Sequence, residues 1–105
     1  MRILGIDDTR ELTEASVLAR NYNEGIRQLQ LNGPWDLLLL DHDLASFDEN
    51  GKESTGYDIM CWLEANIQFL PKKIECVSAN PVGRARITLV INSLYREQNG
   101  WSLNR

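Results

Sequence analysis

"WDLLLLDHDL", residues 35–44, runs four leucines straight into Asp41, His42 and Asp43. The apolar stretch 35–41 is too short for an ordinary globular helix. It lies between the Gly33-Pro34 turn and a polar cluster. A continuous apolar run bounded in this way predicts a central strand covered on both faces. Leucine has no strong strand preference, so the flanking signals carry the assignment. Such a strand buries its leucines and delivers Asp41, His42 and Asp43 to the edge of a sheet.

Working outward, "RILGI", 2–6, reads as another buried strand and stops at Asp7-Asp8. "SVLAR", 16–20, reads as a second strand. Asn23 suits the N-cap of a helix reaching Leu31, with Ile26, Leu29 and Gln30 inward. "SFDENGKEST", 46–55, is polar and predicts a loop. Thr55 then caps a helix to about Phe69, with Asp58 completing a capping-box pattern. Its apolar stripe is Ile59, Leu63, Ile67 and Leu70, and Pro71 ends it. "KIECV", 73–77, is the next strand. Asn80 and Pro81 open a last helix that closes near Gly100, with Ile87, Val90, Ile91 and Leu94 as its stripe.

Strands alternating with helices predict one α/β domain over residues 1–105, with helices packed on a mostly parallel sheet in three layers. Residues 8–15 are too few for a helical crossover. The second strand therefore either lies antiparallel on an edge or follows a much shortened connection. No clear fifth strand follows residue 94.

Composition narrows the function classes. Hydrophobic residues make up 43% and charged residues 25% of the 105, ordinary for a soluble globular chain. No run approaches the roughly 18 apolar residues of a membrane span, and "MRILGIDD" lacks a signal-peptide pattern. Cys61 and Cys76 lie in apolar surroundings, which suits reduced thiols in a cytoplasmic protein. The net charge of −4 opposes binding to long nucleic acid, which needs many Lys and Arg contacts to phosphates. One small anion in a local pocket is compatible with it. Trp35, Trp62 and Trp101 read as packing residues. The "DEN" of 48–50 lacks the full spacing of a Ca2+ loop.

The polar groups fall in register with the strands. The strand 2–6 ends in Asp7-Asp8, the strand 35–41 in Asp41-His42-Asp43, and the strand 73–77 in Ser78-Ala79-Asn80. In a parallel sheet these ends share one edge, where open α/β folds bind ligands. Converging carboxylates at Asp7, Asp8 and Asp41 suit a hard divalent cation such as Mg2+ or Mn2+. The plainer alternative is that Asp7 and Asp43 cap loops or helix ends. His42, set between two carboxylates, can give a proton to a leaving oxygen or take one from water. In "SANPVGR", 78–84, a helix N-terminus favours an anion, with Ser78 and Asn80 as added donors and Arg84 as a planar fork for phosphate. The alternative there is ordinary capping by Asn80 with Arg84 solvated.

The combination of "LLLLDHDL", "TGYDIMCWL" and "SANPVGRARI" resembles the cyclic-phosphate processing receiver-like family. That family is related to response-regulator receiver domains and is common in phage and bacterial genomes. The resemblance spans most of residues 1–94. It implies a receiver-like, flavodoxin-like fold that acts on or binds a small cyclic phosphate or cyclic nucleotide. By motif, Asp7 and Asp8 fall at the first acidic pair and Asp41 at the receiver phosphoacceptor position. His42 and Asp43 fall at the family's added polar pair. Ser78, Asn80, Gly83 and Arg84 fall in the phosphate-side motif.

Two departures matter. The family often has a histidine before the Ser-Ala-Asn triplet, where this chain has Val77. Ordinary receivers also carry a lysine before a proline on a fifth strand, and none is found after residue 94. Three functions follow as expectations. The first is a metal-assisted cyclic phosphodiesterase using Asp7, Asp8 and Asp41 for the cation, with His42 and Asp43 as catalytic groups. The second is a binder that sequesters a cyclic nucleotide. The third is a degenerate receiver working through protein contacts. Neither a particular ligand nor an oligomeric state is legible.

Overall fold

The strand predicted from the leucine run, β3 (Leu37–Leu40), sits inside a four-stranded sheet. The computed structural model describes residues 1–99. Its partners are β1 (Ile3–Ile6), β2 (Val17–Ala19) and β6 (Lys73–Cys76), in the order β2-β1-β3-β6, every pair parallel. Among the described residues there is no fifth strand in this sheet. The expected closure near Gly100 and the packing of Trp101 lie outside the described residues.

Alternation sorts the sheet into two faces. Leu4, Ile6, Ala19, Leu38, Leu40 and Ile74 point to one side and join the hydrophobic core. There they meet Leu29 of α1 (Tyr22–Leu31), Ile59, Met60 and Leu63 of α2 (Gly56–Ala65), and Ile87 and Leu94 of α3 (Pro81–Asn99). The three helices thus cover one face, with α2 touching both neighbours. On the other face, Leu12, Ala15 and Leu18 lie against Gly5. The outer layer expected there is supplied by the connecting segment 7–16 instead of a helix.

That segment settles the position of β2. It is parallel to β1, with Leu4 opposite Val17 and Ile6 opposite Ala19. The shortened connection is therefore realised, and the antiparallel alternative is not. Ten extended residues reach at most about 33–36 Å, ample to return along a four-residue strand of about 13 Å. Hydrogen bonds from Ser16 N–H to the Ile3 carbonyl (2.7 Å) and from Asp7 N–H to the Ala19 carbonyl (3.1 Å) close the two ends.

Several boundaries differ from expectation. The N-cap of α1 is Asn21, not Asn23: its side chain accepts from Glu24 N–H at 2.9 Å, and Glu24 answers by accepting from Arg20 N–H. Gln30 is exposed, not inward. Thr55 and Asp58 form the expected capping box of α2. The helix stops at Ala65, however, because Asn66 turns its side chain back to the Trp62 carbonyl (2.9 Å) and its N–H to Leu63. Residues Ile67–Phe69 form a 3-10 turn, which leaves Ile67 half exposed and stacks Phe69 on Trp62. The polar loop 46–55 carries a small antiparallel ribbon, β4 (Ser46–Phe47) with β5 (Glu53–Ser54). Asp48 accepts from the N–H groups of Asn50 and Lys52 there, so it shapes a turn.

The start of α2 is pressed onto the end of β3. Gly56 N–H donates to the His42 carbonyl at 2.8 Å, and a Cβ at Gly56 would lie 2.0 Å from the Asp41 carbonyl oxygen. Backbone cannot yield as a side-chain tip can. Gly56→Ala is expected to destabilise the protein by about 1–3 kcal/mol, read as an earlier urea midpoint, and to disturb Asp41 and His42 together.

Candidate functional site

β1 and β3 each end on the residue before an aspartate, and β6 ends two residues before Ser78. Asp41 N–H donates to the Ile6 carbonyl (2.9 Å) and Val77 N–H to the Leu40 carbonyl (2.9 Å). The sheet ladder thus continues just past the strands and holds Asp7, Asp41 and Ser78 side by side. Asp7, Asp8 and Asp41 each offer a carboxylate oxygen, and these oxygens all lie within 4.8 Å of one another. Asp7 is 1% exposed and Asp41 7%.

The two oxygens of Asp7 do different things. Oδ1 accepts from the N–H groups of Thr9 (3.1 Å) and Arg10 (2.8 Å), which is the loop-capping role weighed from sequence. Oδ2 is buried and has no hydrogen-bond partner. A buried carboxylate oxygen left without a donor is costly, and oxygen donors suit a hard divalent cation. The donor set therefore fits such a cation. Burial, with the Asp7 charge beside it, pushes the Asp41 carboxyl above the ordinary range, against hydrogen bonds from His42 N–H and the Ser78 hydroxyl.

Asp43 lies outside this cluster. Its carboxylate meets His42 Nδ1 at 2.9 Å. The imidazole is largely buried and rests on the first turn of α3: a Cβ at Gly83 would lie 2.3 Å from the ring's Cγ. Gly83 is thus a floor for the histidine, which the phosphate-side motif did not suggest. Leu44, 1% exposed, anchors the loop in the core, and Ala45 turns it outward with φ 49°.

At the start of α3, Asn80 is the cap. Its side-chain oxygen accepts from Val82 and Gly83 N–H groups, each at 3.1 Å, and Ser78 Oγ accepts from Asn80 N–H at 3.0 Å. The helix-end donors that sequence reasoning offered to an anion are engaged within the helix, so the capping alternative holds for Asn80. Ser78 is buried. Arg84 is exposed and makes no ion pair among the described residues, which leaves its guanidinium available.

Two arginines were not singled out from sequence. Arg10 reaches from the β1 end across to β6, donating through Nη1 to the Val77 carbonyl, with Nε 3.8 Å from Asp7 Oδ2. Arg20 braces the same segment by donating to the carbonyls of Arg10 (2.9 Å) and Asp7 (3.4 Å) and to Glu11. Arg10 lies three residues after Asp7 and Arg20 directly follows β2, and only the folded loop shows which arginine faces the acids.

Because its native carboxyl protonates more readily than an unfolded one, Asp41 weakens the protein at neutral pH. Asp41→Asn is expected to raise the melting temperature by several degrees in EDTA at pH 7. That advantage should shrink as pH falls towards 4, where the wild-type carboxyl is neutralised. A cation held by Asp7, Asp8 and Asp41 would stabilise the wild type more than the variant, so the advantage should shrink when Mg2+ is added. Thermal melts at three pH values, with and without Mg2+, check this.

No curated protein and no solved structure matches the chain. Among the described residues no helix is long and apolar enough to cross a membrane. A profile of the cyclic-phosphate processing Receiver domain matches residues 2–93, which takes in every strand of the sheet, the three acidic residues, His42 and the start of α3. The chain belongs to the family of cyclic-phosphate processing receiver domains.

Proposed function

We propose that the protein binds a small cyclic phosphate, such as a cyclic nucleotide, at the carboxyl edge of its sheet and hydrolyses it with a divalent cation. The observation that carries this reading is the placement of His42, one residue beyond Asp41, with its ring seated on Gly83 and its Nδ1 on Asp43. Asp7, Asp8 and Asp41 would hold Mg2+ or Mn2+, and the cation would supply charge stabilisation and an activated water.

The chain's own residues have distinct parts in this scheme. Asp43 fixes the imidazole through Nδ1 and so leaves Nε2 to carry the proton. With Nε2 free, His42 takes a proton from water; with it protonated, His42 gives one to the ester oxygen that leaves phosphorus. Arg84 faces the phosphate as a planar, always charged fork. Asn80 and Ser78 hold the α3 start and the Asp41 carboxylate in place, and Gly83 leaves room for the ring. Asp43 is thus a positioning residue.

A second reading has an observation of its own. Val77 stands where the family often has a histidine, and its carbonyl is tied to Arg10. A single histidine suits retention of an intact cyclic nucleotide better than a two-histidine hydrolysis. The two readings part in one experiment with a panel of 2′,3′- and 3′,5′-cyclic nucleotides and Mg2+ or Mn2+, following both product and retained ligand. For the enzyme, His42→Ala is expected to lower turnover by about 10²–10⁴-fold and to spare binding. Arg84→Ala is expected to weaken binding by about 10–150-fold, the equivalent of about 1.5–3 kcal/mol for a charged hydrogen bond. Full activity in His42→Ala rejects the acid–base role, and retention without product selects the binder.

A further inference from the structure

Among the described residues, the buried Asp7 Oδ2 has one ion-pair partner. Arg10 Nε stands 3.8 Å from it, beyond hydrogen-bond distance, while Nη1 donates to the Val77 carbonyl on the far side of Asp41. The backbone of Arg10 is pinned on both sides: its N–H donates to Asp7 Oδ1 at 2.8 Å and its carbonyl accepts from Arg20 at 2.9 Å. The side chain, 44% exposed, is the part that can move. Arg10 therefore compensates the acids by charge without satisfying the oxygen that most needs a partner.

We propose that Arg10 is a displaceable counter-ion of the acidic cluster: a divalent cation that engages Asp7 Oδ2 drives the guanidinium off Val77, and the repulsion between the two sets the cation affinity. This rests on the cation reading above. A doubly charged ion on Oδ2 and a guanidinium nitrogen 3.8 Å from the same oxygen repel strongly, the more so beside buried carboxylates. With its backbone pinned, Arg10 can relieve that repulsion by rotating its side chain into solvent, leaving the Asp7 loop in place.

The test uses the full chain and the metal alone. Mn2+ affinity is measured by calorimetry for wild type, Arg10→Gln and Arg10→Lys. Removing the charge is expected to tighten Mn2+ binding by about tenfold or more, whereas Arg10→Lys stays within about threefold of wild type. In EDTA, Arg10→Gln melts earlier than wild type, since the acids lose their compensation. A structural role alone predicts the reverse, weaker Mn2+ binding in Arg10→Gln. Equal or weaker affinity in that variant overturns the proposal. If the variant does not fold, the wild type decides: on titration with diamagnetic Mg2+, the Arg10 Nε–Hε resonance moves to the position of a solvated arginine, and a resonance that stays put at saturation overturns the proposal. A wild type that binds no Mn2+ at millimolar concentration removes the cation reading and this inference together, whereas binding that is indifferent to Arg10 removes only the inference.

Discussion

The hydrogen bond from Asp41 N–H to the Ile6 carbonyl, 2.9 Å long, carries the parallel register of the sheet one residue past its central strand. Everything at the candidate site follows from that extension. Ile6 is paired with Leu40, so the residues that come next, Asp7 and Asp41, must stand beside each other. The same ladder, continued by Val77 N–H to the Leu40 carbonyl, brings Ser78 to the other flank of Asp41. A slip of one residue would turn the Leu38 and Leu40 side chains out of the core and separate the acids. Packing of the leucines and placement of the carboxylates are therefore one constraint.

The cost of that placement is electrostatic. Two carboxylates, both nearly buried, lie with a third against one sheet edge, and Asp41 is held above its ordinary protonation range by burial and by Asp7. Backbone N–H groups, the Ser78 hydroxyl and Arg10 offset part of the repulsion, but Asp7 Oδ2 stays without a hydrogen bond. Frustration of this kind in an otherwise well-packed core supports the proposed cation site.

The two glycines at the site, Gly56 and Gly83, solve a steric problem created by covering a single face of the sheet. α2 and α3 both begin beside the end of β3, and each must start without a side chain: Gly56 to clear the Asp41 carbonyl, Gly83 to accept the His42 ring. Helix start, strand end and imidazole are thereby locked into one unit. The cation–π contact of Arg86 with Tyr57, 4.1 Å to the ring, ties the two helices together just behind it.

The length and flanks of the leucine run, the Thr55 capping box and the alternation of strands with helices are local properties, so the sequence by itself determined the α/β class, the central position of β3 and the set of polar groups arriving at one edge. Asp7 and Asp41 were legible because each follows directly on a strand, and Asp8 because it follows Asp7. Three things were decided by tertiary structure, because they depend on residues distant in the chain. The parallel β2 and its helix-free connection depend on Leu12 and Ala15 packing against Gly5. The duty of Gly83 depends on how α3 meets the β3 loop, which gives the histidine its floor. The part played by Arg10 depends on a reach from one strand end over a second to a third, an arrangement with no periodicity or spacing to announce it in the sequence.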